Sequence, residues 1–153
     1  MTHDRSEHWL WRLDADAWLR AAEVELAAAA ANLDSRRTAV THARRAAGMA
    51  LNAVLVASHE AGVETGAEAG AELRWGRSYV DHLRALADPR IAIAPLPDEL
   101  RPLAAGLLQI AVMGSGSLVQ LGRSAHGPAQ HAHDLARELC ARCSAAIAKP
   151  TTS

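Results

Sequence analysis

The stretch Arg36–Ser58 reads RRTAVTHARRAAGMALNAVLVAS and contains no proline and a single glycine, Gly48. Its apolar residues recur at spacings of three and four, which is the period of a helix with one broad apolar face. The stripe consists of Ala39, Ala43, Ala46, Ala47, Ala50, Leu51, Val54, Leu55 and Ala57. A helix that is apolar over so much of its circumference belongs inside a core. The stretch therefore predicts a central helix around which the rest of the chain packs.

The composition of the whole chain favours an all-α protein. Alanine and leucine supply most of the apolar residues, and there is no phenylalanine and one tyrosine, Tyr79. Alanine and leucine form helices readily, whereas strands prefer the β-branched and aromatic types that are scarce here. The 153 residues are enough for one domain with a proper core.

Charge, cysteines and hydropathy argue against several functional classes. The net charge of −1 gives no overall basic field for nucleic acid. The N-terminal sequence MTHDRSEHWLWRL lacks the apolar run of a signal peptide, and no segment is apolar enough to span a bilayer. Cys140 and Cys143 form no disulfide framework, and we interpret them as small buried residues rather than a redox or metal pair. We expect a cytoplasmic protein with no membrane contact and no cofactor.

The segments around the central stretch show further helical patterns, separated by turn residues. Asn32, Asp34 and Ser35 make the first connection so short that it predicts an antiparallel helical hairpin. We expect helices at about 16–33, 36–58, 78–87, 98–111 and 128–148. Glycines and glutamates recur at intervals through residues 59–76, which predicts an acidic loop.

These elements predict an up-and-down antiparallel four-helix bundle with an additional short helix. The bundle occupies residues 16–148. We expect residues 1–15 to form an N-terminal arm and residues 149–153 to form a disordered tail.

The helical hairpin resembles the opening of HEPN domains (higher eukaryote and prokaryote nucleotide-binding). The matching positions are Trp18, Leu19, Ala22 and Leu26 in the first helix, and Ala39, Ala43, Ala46, Ala47, Ala50, Leu51, Ala53 and Leu55 in the second. Later matches are His82, Leu83 and Leu86, and the closing helix HAHDLARELCARCSAAI. Asn52 stands where the family usually has a lysine. The resemblance implies a helical bundle that forms homodimers and binds a nucleotide, RNA or a partner such as a nucleotidyltransferase-like antitoxin.

Many HEPN proteins are metal-independent ribonucleases with an Arg-x(4–6)-His motif. His42 follows Arg36 and Arg37 at this spacing, whereas His131 lies one residue too far from Arg123. Arginine is so common in this chain that such matches arise by chance. We therefore favour a non-catalytic binding or dimerisation module. The alternative is a toxin-like ribonuclease that uses Arg37 with His42, or Arg123 with His131.

The sequence also contains a candidate phosphate site and a candidate metal site. Arg36, Arg37, Arg44 and Arg45 form a basic patch that would bind a phosphate, or would simply be a solvated face. His42, His82, His126 and His131 would make a metal site if the fold brought them together, as in some four-helix bundles. The alternative for them is solvated histidines and, for His42, a rim histidine with one hydrogen bond.

The apolar content also predicts a homodimer. Trp9, Trp11 and Trp18 near the N-terminus, together with the stripe of the fourth helix, exceed what one bundle seam buries. Soluble monomers seldom expose an apolar patch of that size.

Overall fold

A computed structural model describes residues 12–60, 78–91, 96–111 and 127–148. These residues form helices and contain no strand, so the all-α prediction is confirmed. The helices are α1 (Ala15–Ala31), α2 (Arg36–Glu60), α3 (Tyr79–Ala87), α4 (Leu100–Gln109) and α5 (Gly127–Ala148). Most of the predicted N-terminal arm, nearly all of the acidic loop and the predicted tail lie outside the described residues.

Helix α2 is the centre of the fold. It packs against each of the other four helices. Every residue from 46 to 56 is buried, so this part of α2 is covered on all sides. The prediction of a central helix from the apolar stripe is confirmed, and residues such as Ala53 and Val56, which lie off the stripe, are buried as well.

Helices α1 and α2 form a hairpin whose ends are defined by short polar side chains. The Asp14 carboxylate accepts the backbone N–H of Ala17 at 2.8 Å and caps the start of α1. The Ser35 hydroxyl accepts the backbone N–H of Thr38 at 3.3 Å at the start of α2. Since only four residues separate the two helices, α1 and α2 run antiparallel and pack along their length.

Gly48 lets α3 approach α2 closely. A Cβ atom at this position would lie 2.5 Å from the Cβ of Tyr79 and 2.9 Å from its Cα. The Tyr79 ring also meets Trp18 of α1 edge-on, with ring centroids 6.5 Å apart. The first residue of α3 therefore lies over the seam between α1 and α2.

Arg101 holds the C-terminal end of α3. Its guanidinium donates to the carbonyl oxygens of Leu86 at 3.1 Å, Asp88 at 2.5 Å and Ile91 at 2.6 Å. Carbonyl groups at a helix end have no partner within the helix. One side chain of α4 thus satisfies the end of α3 and joins the two short helices.

Two alanines that neighbour apolar stripes in the sequence are exposed in the structure. Ala30 lies about a quarter turn from the buried stripe of α1, which is formed by Ala15, Trp18, Ala22 and Ala29. Ala111 lies four positions after the buried Leu107, but α4 ends at Gln109 and the chain leaves the helical phase before reaching it.

Candidate functional site

Three charged or titratable side chains meet where α1 faces α2. His42 Nδ1 lies 2.5 Å from Oε2 of Glu25, and Arg45 Nη2 lies 3.3 Å from Oε1 of the same carboxylate. His42 and Arg45 are three positions apart on α2, so they share one face of that helix. We call Glu25, His42 and Arg45 the Glu25 cluster.

The three side chains of the Glu25 cluster differ in their exposure to solvent. The Glu25 side chain is 12% exposed, that of His42 26% and that of Arg45 46%. A carboxylate with so little access to water needs charged or hydrogen-bonding partners. Each oxygen of Glu25 has one, so the two helices are joined by a bridge in which both carboxylate oxygens take part.

The bridge fixes the orientation of the His42 ring. When Nδ1 carries the hydrogen that is donated to the carboxylate, Nε2 of the neutral imidazole has no hydrogen and carries the in-plane lone pair. Nε2 is then a basic nitrogen at a partly exposed position. Chemically, such a nitrogen accepts a proton as a general base and returns it as a general acid.

The charges of Arg45 and Glu25 in this cluster affect the pKa of Tyr79. Burial raises the pKa of the Tyr79 hydroxyl. Arg45 and Arg12 lower that pKa, and Glu25 raises it. The net direction of the Tyr79 pKa is upward, so the phenol is neutral at physiological pH.

The structure does not bring together the predicted Arg/His pair on α2. Arg37 is exposed, and its five-residue offset from His42 places the two side chains on different faces of the helix. Arg36 is half-buried at the first position of α2. The arginine that does share a carboxylate with His42 is Arg45. Of the second predicted pair, His131 is exposed on α5, and Arg123 lies outside the described residues.

Arg44, predicted as a phosphate ligand, is engaged in the fold. Its guanidinium donates to the carbonyl oxygens of Leu107 at 3.0 Å, Leu108 at 3.3 Å and Ile110 at 2.8 Å. Burial and, to a lesser extent, the charge of Arg84 lower the Arg44 pKa. Arg44 therefore satisfies the end of α4 as Arg101 satisfies the end of α3, and the basic patch is divided between structural and exposed arginines.

The histidines considered for a metal site are spread over the fold. His42 is on α2, His82 is fully buried on α3 and His131 is exposed on α5. His126 is outside the described residues. Among the residues that the structure describes, no three side chains of the metal-binding types lie close enough to hold an ion.

The two cysteines are buried, as predicted. The Cys140 thiol donates to the carbonyl oxygen of Ala46 at 3.6 Å, which joins α5 to α2. Burial raises the pKa of Cys140 to about 12 and raises that of Cys143 as well. Neither thiol is a thiolate at neutral pH, so neither has the reactivity that redox chemistry requires.

Glu25 is the residue of the candidate site that the sequence prediction missed. Glutamates on α1 are expected to point to solvent, yet Glu25 continues the buried spacing of Trp18, Ala22 and Ala29. A carboxylate at a position of the apolar stripe is a signal for a buried partner. Its match to His42 also follows from the hairpin, because residues equally far from the turn face each other.

Comparisons of this chain with protein-family models, curated proteins and solved structures found no match. No helix in the described part of the chain combines the length and apolarity needed to cross a membrane.

Proposed function

We propose that this chain is a HEPN-like module, an up-and-down antiparallel four-helix bundle in which α3 is the additional short helix. It works in the cytosol by binding rather than by catalysis. It forms a homodimer and associates with a protein partner, such as a nucleotidyltransferase-like antitoxin. The antiparallel α1–α2 hairpin and the alanine-rich central helix support the fold assignment.

One observation favours binding over catalysis: Arg44, Arg45 and His42, which lie nearest to one another among the side chains suited to RNA chemistry, are each bound to other groups of the chain. Arg44 is bound by three carbonyl oxygens, and Arg45 and His42 share the Glu25 carboxylate. A ribonuclease needs a cation that is free to hold the phosphate while the histidine moves a proton. The exposed Arg37 lies on another face of α2.

The test is RNA cleavage by the purified protein, with and without a chelator. The proposal predicts no cleavage above the rate of a protein-free blank in either condition. Cleavage that persists with chelator and is lost in His42→Ala would contradict it. His131→Ala is the control, since His131 lies on α5 far from the Glu25 cluster, and its loss of activity would assign cleavage to the other predicted pair.

The Glu25 cluster supports a second candidate, metal-independent phosphodiester cleavage with Arg45 in place of Arg37. Nε2 of His42 would take the proton of the attacking hydroxyl as its oxygen bonds to phosphorus. As the bond between phosphorus and the departing oxygen breaks, Nε2 of His42 would return the proton to that oxygen, and Arg45 would hold the phosphate charge. In this case Glu25→Gln, which keeps the shape but removes the charge, lowers the cleavage rate about 100-fold or more. Arg37→Ala leaves the rate unchanged, whereas the Arg37/His42 version requires its loss.

A further inference from the structure

We propose that the outward face of α1 docks against the same face of a second copy of this chain, antiparallel about a two-fold axis near Ala27. This interface rests on the dimer of the proposed function and adds the surface and the residue pairing. It is carried by two features of the described residues: an apolar outer face and a charge pattern that complements itself.

The exposed positions of α1 from Val24 to Ala31 carry no charge, which is unusual for a surface helix, whereas Asp16, Arg20 and Glu23 are exposed in its first half. Arg20, Val24, Ala27 and Ala31 follow helical spacing, and all four are exposed. Val24 is 69% exposed, and Leu13, at the entrance to α1, is 38% exposed; they are the exposed large hydrophobic residues of the described chain. From residue 26 to 31 the sequence is LAAAAA, with no charge. Surface helices normally carry charged residues on their outer face.

The small residues set how closely a partner helix approaches. Helices pack with their axes about 8–10 Å apart, and small side chains at the contact favour the lower end. Glu23 and Val24 are the exposed positions one turn before Ala27, and beyond it the exposed positions of α1 are the alanines Ala30 and Ala31. A second helix therefore fits against this segment more readily than against the charged outer face of α5.

The charged residues at the two ends of this face select an antiparallel second copy. Arg20 lies seven residues before Ala27, and the exposed Asp34 lies seven residues after it, in the turn past α1. A two-fold axis at Ala27 places Arg20 beside the Asp34 of the second copy, and the same pair forms again by symmetry. Val24 then lies against the alanines at the end of the second copy's α1. A parallel arrangement would place like charges together.

The size of this surface indicates the strength of the dimer. Helix α1 has 17 residues, which at 1.5 Å per residue is about 25 Å. A contact of one helix pair lies at the low end of stable interfaces. We therefore expect association at micromolar rather than nanomolar concentration.

Cross-linking tests the position of the axis. Ala27→Cys places a thiol opposite its own copy, whereas Cys140 and Cys143 are buried and the sequence has no other cysteine. Under mild oxidation, we expect most of the Ala27→Cys protein to run as a covalent dimer on a non-reducing gel. The control is Ser144→Cys, an exposed position on α5, for which we expect little dimer.

The outcomes separate the interface from the dimer itself. A wild-type protein that sediments as a dimer, with no more cross-linking at position 27 than at position 144, places the interface elsewhere and overturns this inference. A wild-type protein that is monomeric at all concentrations removes the dimer of the proposed function as well.

Charge reversal tests the residue pairing. We expect Arg20→Glu and Asp34→Arg each to raise the dimer dissociation constant about tenfold, and the double variant to recover most of that loss. A double variant no tighter than either single variant contradicts the pairing. Thermal melting of each variant confirms that the fold is intact, and Arg137→Glu on the exposed side of α5 is the matched control.

Discussion

Single arginines join pairs of helices in this fold. Arg44 of α2 and Arg101 of α4 each donate to three carbonyl oxygens just at or beyond the end of a short helix. Short helices gain little stability from their own hydrogen bonds. A guanidinium at their end supplies the donors that the helix lacks and ties it to a neighbour.

Arg44→Met tests this role. The variant keeps much of the apolar stem but leaves the carbonyls at the end of α4 without their donor. Since hydrogen bonds to charged groups contribute about 1.5–3 kcal/mol, we expect the free energy of unfolding to fall by about 2–3 kcal/mol, measured by urea denaturation. Arg137→Met, at an exposed position on α5, should change it by less than about 0.5 kcal/mol. Equal losses in the two variants would show that Arg44 does not support α4.

Asn52 is a polar residue inside the most buried part of α2. Its side chain is fully buried, and neither amide atom has a hydrogen-bond partner among the described residues. An unsatisfied buried polar group destabilises a protein by about 1–3 kcal/mol. Asn52 therefore departs from the apolar pattern of α2 at a fully buried position.

Asn52→Ala should therefore behave unlike an ordinary truncation in a core. The small cavity is offset by removal of the unsatisfied amide and by the higher helix propensity of alanine, so we expect the free energy of unfolding to stay within about 1 kcal/mol of wild type or to rise. Leu51→Ala, next in sequence and equally buried, should lose about 2–5 kcal/mol. A loss of that size in Asn52→Ala would mean that the amide is hydrogen-bonded.

At the scale of elements, the α2–α3 contact depends on the absence of a side chain at Gly48. Nothing in the helical pattern of α2 marks this glycine, since alanine would suit the helix better. The structure supplies the reason, because the backbone and Cβ of Tyr79 occupy the space of a Cβ atom.

Gly48→Ala should thus destabilise the fold although it improves helix propensity. The nearest atoms include the Cα of Tyr79, so a change of side-chain rotamer does not relieve the clash. We expect a loss of about 1–3 kcal/mol, the range for overpacked cores, measured by thermal or urea unfolding. Gly106→Ala on α4 is the control, since its Cβ would meet only a methyl group of Leu135 at 3.0 Å. A more stable Gly48→Ala would show that α3 does not pack on α2 at this point.

The elements were more predictable than the site. Helix period and short polar caps are local, so the ends of α1, α2, α3 and α5 fall within about two residues of the sequence prediction. Long-range contacts leave no such local mark. The partner of His42 is seventeen positions away in Glu25 and that of Arg44 is more than sixty away in α4, so only the folded hairpin and bundle reveal them.

At the scale of the whole molecule, the chain builds a core from one central helix and leaves one helix with an uncovered apolar side. Helix α2 is surrounded by the others, whereas the outer face of α1 carries Val24 and a row of alanines. His42 and Arg45 share the Glu25 carboxylate, whereas Arg37 and His131 are exposed and lie outside this cluster. These features together support a module that works by association with a second copy of itself.

Sedimentation equilibrium of the purified chain is the most direct test of the proposed homodimer. As the protein concentration rises from about 1 to 100 μM, we expect a reversible shift of the measured mass from 16.2 kDa to twice that value. Val24→Glu, which places a charge on the outer face of α1, should hold the protein at the lower mass with an unchanged melting temperature. A wild-type protein that remains at 16.2 kDa throughout this concentration range would contradict the proposed homodimer.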